Sequence, residues 1–145
     1  MRRFEGFDHV DCRVRSLAAV ETFYDRLMPE LGLPNKRYAY VDEAGEWNEV
    51  SSEHAYNAVE YYERAPASET SSFMGFIEQP NHEPGLTRVA FRVERTRLFE
   101  LESLLAQIGA RQLERSEDIE AYPAVFFEDP TGTKLELVAR GSSIA

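Results

Sequence analysis

The side chains most able to do chemistry in this chain belong to His9, Arg13, Arg88, Arg92 and Glu136. Apolar and polar residues alternate in three predicted strands, which places these side chains on the strand face opposite the predicted helices. Burying a charged group is costly unless it is paired, ligated or in contact with water, so this surface is predicted to be a cleft. Histidine titrates near neutral pH and could act as a general base, and arginine can bind a carboxylate through two hydrogen bonds.

An internal repeat positions these residues. Residues 7–14 read FDHVDCRV, and residues 86–93 read LTRVAFRV. Each segment is followed by a predicted helix, over 17–31 and 96–108, that ends in Leu-Gly or Ile-Gly. A repeat of about half the chain indicates two similar supersecondary units packed on each other. The alignment also places Arg88 at the position equivalent to His9.

The other predicted elements follow the same order in both halves. Strands are predicted at 37–41, 57–63 and 73–78, and again at 111–114, 123–128 and 134–139. Residues 42–56 are predicted to be a loop, in which EWNEV could add a short strand or a helical turn. The sequence therefore predicts an α+β fold of two βαβββ modules in one domain, residues 1–145. Module one covers about 4–79 and module two about 86–140.

Composition excludes several classes of protein. A net charge of −10 disfavours nucleic acid and anionic membranes as partners, because both need a basic surface. The single cysteine, Cys12, excludes an internal disulfide and a cysteine-based zinc site, and it is predicted to lie unreactive on the buried strand face. No apolar run approaches the roughly 20 residues of a membrane span, and MRRFEGF lacks a following apolar h-region. A cytoplasmic location is expected.

Three segments carry a resemblance to a known family. The openings FDHVDCRV…FYDRLMPELGL and PGLTRVAFRV, with the ending VFFEDPTGTKLELV, are similar to the vicinal oxygen chelate superfamily. That superfamily includes glyoxalase I, bleomycin-resistance proteins and extradiol dioxygenases. The likeness covers nearly the whole chain, and 42–56 is its least typical part. It implies an open cup-like barrel with the charged residues on its concave side, and a homodimer.

The resemblance also implies metal ligands, but an incomplete set. Enzymes of this superfamily usually bind a divalent metal ion from the first and last strands of each module. His9 matches the first-strand ligand and Glu136 the closing glutamate, whereas Arg88 stands where many relatives have a second histidine. In the last strand of module one, Glu78 or Phe76 aligns with the ligand position. Because a guanidinium repels a divalent ion, we expect Arg88 to pair with Glu136 and no metal to bind tightly.

The residues leave more than one function open. The favoured hypothesis is a protein that binds a small molecule in its concave cleft, with Arg13, Arg88 and Arg92 lining the pocket. The alternative is a divalent-metal-dependent lyase, isomerase or dioxygenase with His9 and Glu136 as ligands and Glu78 as a third. A metal-free enzyme with His9 as general base is also open, and charge does not choose between a cationic and an anionic ligand. His54 and His82 lie in polar sequence and are expected to be exposed.

Overall fold

The computed structural model describes residues 7–64 and 71–141. Module one contains β1 (His9–Val14), α1 (Leu17–Glu30), β2 (Asn35–Val41), β3 (Trp47–Asn48), β4 (Ala58–Tyr62) and β5 (Phe73–Glu78). Module two contains β6 (Arg88–Arg92), α2 (Leu98–Ile108), β7 (Arg111–Arg115), β8 (Ala124–Glu128) and β9 (Lys134–Val138). A 3₁₀ turn, Arg95–Arg97, precedes α2. Residues 4–6 of the first predicted strand lie outside the described residues.

The two sheets repeat one topology. The strand order is β1-β5-β4-β2-β3 in the first sheet and β6-β9-β8-β7 in the second. In each module the first strand pairs in parallel with the last, and the remaining main pairs are antiparallel. This arrangement confirms the predicted fold class, two βαβββ modules that form an open cup-like barrel. The short β3 is the predicted addition at EWNEV, and it forms a hairpin with β2.

Helix α1 begins where two side chains satisfy its first backbone amides. The Ser16 hydroxyl accepts a hydrogen bond from the Ala19 amide (3.1 Å), as predicted for an N-cap. The Glu78 carboxylate, at the end of β5, accepts a second bond from the Leu17 amide (2.8 Å). Amides in the first turn of a helix lack partners within the helix, so both contacts fix the position at which α1 leaves the sheet. Glu78 therefore faces the helix.

The two modules share one hydrophobic core on the helix side of the sheets. Tyr24 of α1 stacks on Phe76 of β5 with ring centroids 3.7 Å apart. Its hydroxyl donates a hydrogen bond to Asp129 Oδ2 in the turn between β8 and β9 (2.6 Å). Burial, followed by the charge of Asp129, raises the pKa of Tyr24 well above its usual value. A residue of module one thus holds the turn of module two through a buried hydrogen bond.

Asp129 also organises its own turn. Its Oδ1 accepts hydrogen bonds from the amides of Thr131 (2.8 Å) and Thr133 (3.0 Å), and Gly132 has a positive φ of 98°. These contacts close the Asp-Pro-Thr-Gly hairpin that the sequence predicts. Asp129 is fully buried, and both of its carboxylate oxygens have donors. The turn and the interface between modules therefore depend on the same carboxylate.

Strands β1 and β6 lie next to each other but are not paired. They are the outer strands of the two sheets, and two cavities are lined by residues of both. In the parts of the chain that the structure describes, no helix has the length and apolar character needed to span a membrane. The cytoplasmic location stays a prediction.

Replacement of Tyr24 by phenylalanine should lower the free energy of unfolding by about 2 kcal/mol, because the buried Asp129 carboxylate loses its only hydroxyl donor from module one. Urea denaturation at pH 7 measures the change. The matched control is Tyr56→Phe, whose exposed hydroxyl also donates to a carboxylate, Glu21. Equal effects of the two substitutions would contradict the role given to Tyr24.

Candidate functional site

The strand registers define the concave face of module one. Asp11 of β1 lies opposite Gly75 of β5, and Gly75 lies opposite Glu60 of β4. His9 occupies the same face of β1, one pair along, opposite Phe73. Side chains on one face of a sheet alternate with those on the other, so these polar groups all point away from α1. The prediction for His9 is consistent with this register.

His9 is held by two carboxylates. Its Nδ1 lies 2.7 Å from Asp8 Oδ1, and its Nε2 lies 3.6 Å from Asp11 Oδ2. The ring also stacks on Phe73, with centroids 4.4 Å apart. An ionised carboxylate only accepts hydrogen bonds, so the bond to Asp8 places a proton on Nδ1 and leaves Nε2 to face the cleft. Asp8 is thus an orienting partner for His9.

Asp11 and Glu60 lie close together over Gly75. A Cβ at position 75 would clash with Asp11 Oδ1, so a larger residue there would push this carboxylate aside. Glu60 is 6% exposed and accepts a hydrogen bond from the Tyr62 hydroxyl (3.3 Å). Burial raises the pKa of Glu60, and the neighbouring charge of Asp11 adds to this effect. The floor of module one therefore holds a carboxyl group that is harder to ionise than usual.

Glu136 is the corresponding buried carboxylate of module two. It is 6% exposed and accepts a hydrogen bond from the Tyr122 hydroxyl (2.8 Å). Arg88 does not reach it: the Arg88 guanidinium lies over the Phe126 ring, 4.9 Å from its centroid. No ion pair joins Arg88 to Glu136 among the described residues, so the predicted pairing is wrong. The tyrosine satisfies the carboxylate, and the aromatic ring of β8 attracts the guanidinium.

The predicted metal ligands are not assembled. The Glu78 carboxylate caps α1, and Phe76 is fully buried on the helix side. Asp11 of β1 pairs with Gly75 of β5, and the equivalent residue of β6, Ala90, pairs with Glu136 of β9. Gly75 is therefore the equivalent of Glu136 in module one, and it has no side chain to bind a metal ion. Within residues 7–64 and 71–141, no three histidine, cysteine or acidic side chains are grouped closely enough to hold a metal ion. These residues do not fit a resident metal site of the expected kind.

The three candidate pocket arginines lie in different places. Arg13 lines a cavity of about 200 Å³ between β1 and β6, which we call the inter-module cavity. Arg92 lines a separate cleft of about 280 Å³ beside the C-terminal end of α1. Arg88 lies over Phe126. In the described part of the chain, none of the three is within ion-pair distance of a carboxylate.

Sequence reasoning missed several polar residues of the cleft. Asp8, Glu60, Tyr122 and His82 gain their roles only through contacts between distant segments or at a strand end. His82 was expected to be exposed, but it is partly buried in the wall of the inter-module cavity. Glu60 gave one usable signal, since it is a lone acid between Val59 and Tyr61 in a strand that is buried throughout. Cys12 is half-buried and lines the inter-module cavity, and burial raises its pKa to about 11.

The Glu60→Gln variant should become more stable relative to the unmodified protein as the pH rises. The folded-state pKa of Glu60 is raised, so the folded state holds its proton more tightly than the unfolded state. The carboxyl therefore costs stability as the pH rises from the ordinary glutamate value through the raised one, and glutamine removes this cost. Urea denaturation of both proteins between pH 4 and 8 measures the difference. A gap that stays constant with pH would contradict the assignment.

Comparisons with known proteins support the fold. No protein-family model matches the sequence, and no curated protein matches it significantly. Among solved structures, the fosfomycin resistance protein FosX from Mesorhizobium loti has a TM-score of 0.58 and 13% identity, covering 96% of this chain and 94% of that one. A FosX variant from Listeria monocytogenes, complexed with Mn(II) and 1S,2S-dihydroxypropylphosphonic acid, has a TM-score of 0.61, 13% identity and coverage of 96% and 95%.

A third similar structure is a glyoxalase/bleomycin resistance protein from Albidiferax ferrireducens. Its TM-score is 0.57, with 19% identity and coverage of 91% of this chain and 96% of that one. These matches span nearly the whole of each protein, and the identities are too low to transfer an activity. The chain has the fold of the glyoxalase, bleomycin-resistance and FosX proteins of the vicinal oxygen chelate superfamily.

Proposed function

We propose that this protein binds a small polar molecule in its concave cleft and does not hold a divalent metal tightly. The observation that carries the proposal is the hydrogen bond from the Tyr122 hydroxyl to Oε2 of Glu136 (2.8 Å), which gives one oxygen of the candidate metal ligand a partner within the protein. The equivalent of a third ligand is Gly75, which has no side chain.

The cleft nevertheless has the chemistry of a binding site. Two buried carboxyl groups, Glu60 and Glu136, lie on the strand faces opposite the helices, and among the described residues each accepts its hydrogen bond from a tyrosine hydroxyl and not from a cation. Buried ionisable groups, above all those with a raised pKa such as Glu60, are more frequent at functional sites than elsewhere. A fold needs no such groups for its stability, since buried carboxyl groups are costly. Their presence is best explained by a ligand with polar groups of its own.

A thermal-shift and NMR screen of small polar molecules tests the binding function. A true ligand of the cleft should bind Glu136→Gln at least about 10-fold more weakly, the equivalent of losing one charge-assisted hydrogen bond. The matched control is Glu53→Gln in the exposed loop before Tyr56. Compounds that bind Glu136→Gln and Glu53→Gln with equal affinity would count against the proposal. A screen that finds no saturable binding would also count against it.

Titration calorimetry with Mn²⁺, Ni²⁺, Zn²⁺ and Fe²⁺ tests the metal-poor cleft. We expect no stoichiometric binding to the unmodified protein. Arg88→His should raise divalent-metal affinity by about 10-fold or more, because it removes a positive charge and adds an imidazole on the face that carries Glu136. Arg92→His is the control, since it makes the same change beside Val138. An unchanged affinity in Arg88→His would refute this account of position 88.

A metal-dependent lyase, isomerase or dioxygenase is the second candidate, and the Mn(II) complex of the similar Listeria FosX variant favours it. In this hypothesis His9 and Glu136 are ligands, and ligand binding rearranges the contacts of His9 with Asp8 and of Glu136 with Tyr122. Metal analysis of protein purified without added metal decides between the two. One equivalent that is lost in His9→Ala would select the enzyme.

We also propose that the protein is a homodimer. Leu86 and Phe7 occupy equivalent positions just before β6 and β1, and they are 92% and 80% exposed. In this proposal the two side chains form part of the contact surface between protomers. Light scattering at micromolar concentration should give twice the 16.6 kDa chain mass, and Leu86→Glu should reduce it. Val50→Glu, at another exposed apolar residue, is the control; a monomer in the unmodified protein would exclude the dimer.

A further inference from the structure

We infer that the inter-module cavity binds a small oxyanion, such as the phosphate, phosphonate, sulfate or carboxylate group of a ligand. The inference rests on the proposed function, because it places one end of the ligand. The cavity of about 200 Å³ lies between the two modules. Its walls are the second half of β1, the linker before β6 and the start of β9; the lining residues used here are Arg13, His82, Gly85, Thr87, Thr133 and Lys134.

The two positively charged side chains at the cavity, Arg13 and Lys134, differ in their pairing among the described residues. Arg13 has no hydrogen bond or ion pair in the part of the chain that the structure describes. Arg13 is exposed to solvent and lines the cavity without a carboxylate partner among the described residues, although the chain has 26 acidic and 16 basic residues. The Lys134 ammonium group donates a hydrogen bond to Glu128 (3.0 Å), and Lys134 also lines the cavity. Its contribution to the cavity wall is therefore its aliphatic chain. Guanidinium groups bind oxyanions through paired hydrogen bonds.

The negative groups near the cavity are directed elsewhere. Asp11 lines the same cavity, but its Oδ1 lies over Gly75 and its Oδ2 lies 3.6 Å from His9. The Asp11 carboxylate therefore lies over β5, on the side of β1 away from β6. Glu128 is occupied by Lys134.

Neutral hydrogen-bond donors complete the cavity. The Thr133 hydroxyl is buried without a hydrogen-bond partner, which costs free energy unless a ligand accepts from it. Thr87 also lines the cavity, and neither the Gly85 amide nor the Thr87 hydroxyl has a hydrogen bond within the described residues. Hydroxyl and backbone N–H groups beside a guanidinium are the usual donors to a bound oxyanion. The linker between the modules thus has a role in recognition as well as in connection.

NMR titration with sodium phosphate, and separately with sodium sulfate, tests the inference at constant ionic strength. We expect saturable shifts of the amides of Gly85, Thr87 and Thr133. Arg13→Gln should weaken binding by about 10-fold or more, whereas Arg26→Gln, at an exposed arginine on α1 outside the cavity, should not. Equal effects of these two substitutions, or no saturable shift, would overturn the inference.

A second variant guards against misfolding of Arg13→Gln. Thr133→Val keeps the shape of the side chain and removes a hydroxyl that has no partner, so it should fold at least as stably as the unmodified protein. It should also bind phosphate several-fold more weakly; unchanged binding would contradict the role of this hydroxyl and of the cavity. Shifts confined to residues near Arg88 and Arg92 would refute the cavity and leave the proposed cleft intact. Phosphate binding at the Gly85 amide, together with a small-molecule screen that finds no ligand dependent on Glu136, would support the cavity and contradict the proposed function of the cleft.

Discussion

The hydrogen bond between Tyr24 and Asp129 (2.6 Å) connects the parts of the molecule on which the cleft depends. Tyr24 belongs to the helix of module one, and Asp129 shapes the turn that aims β9, the strand of Glu136. Leaving the buried Asp129 carboxylate without donors would cost more free energy than the hydrogen bond contributes. The two modules are therefore favoured in the packing that gives Asp129 its donors. The relative position of the concave faces follows from a contact on the opposite side of the sheets.

Tyrosine hydroxyl groups offset part of the free-energy cost of burying two carboxyl groups on the concave face. Glu60 lies on β4 and Glu136 on β9, which are not equivalent strands of the two modules. Both side chains are nevertheless buried to the same extent, and both accept a hydrogen bond from a tyrosine hydroxyl. A neutral donor stabilises a carboxylate without cancelling its charge, so each group stays able to respond to a ligand. An arginine partner would have neutralised that charge. The contact of Arg88 with Phe126 leaves this guanidinium equally uncommitted to a carboxylate.

Sequence reasoning succeeded where a local pattern fixes geometry. Alternation in β1, β6 and β9 assigned His9, Arg88 and Glu136 to the strand face opposite the helices, in agreement with the registers. It failed where the answer depends on strand pairing between distant segments. The equivalence of Gly75 with Glu136 is visible only in the parallel registers, because the spacing within the two modules differs. Arg88 also had two attractive neighbours, a carboxylate and an aromatic ring, and no sequence pattern ranks them.

The seam between β1 and β6 has a mechanical consequence. Hydrogen-bonded ladders hold each sheet together, but in the described residues only side chains meet across this line, which passes through the inter-module cavity. Widening or narrowing the cup there breaks no backbone hydrogen bond, whereas the same change elsewhere in either sheet would break several. The barrel is therefore most compliant at its centre. Substitutions at Val10, Val89 and Cys12 can therefore change the width of this seam while both modules keep their internal structure.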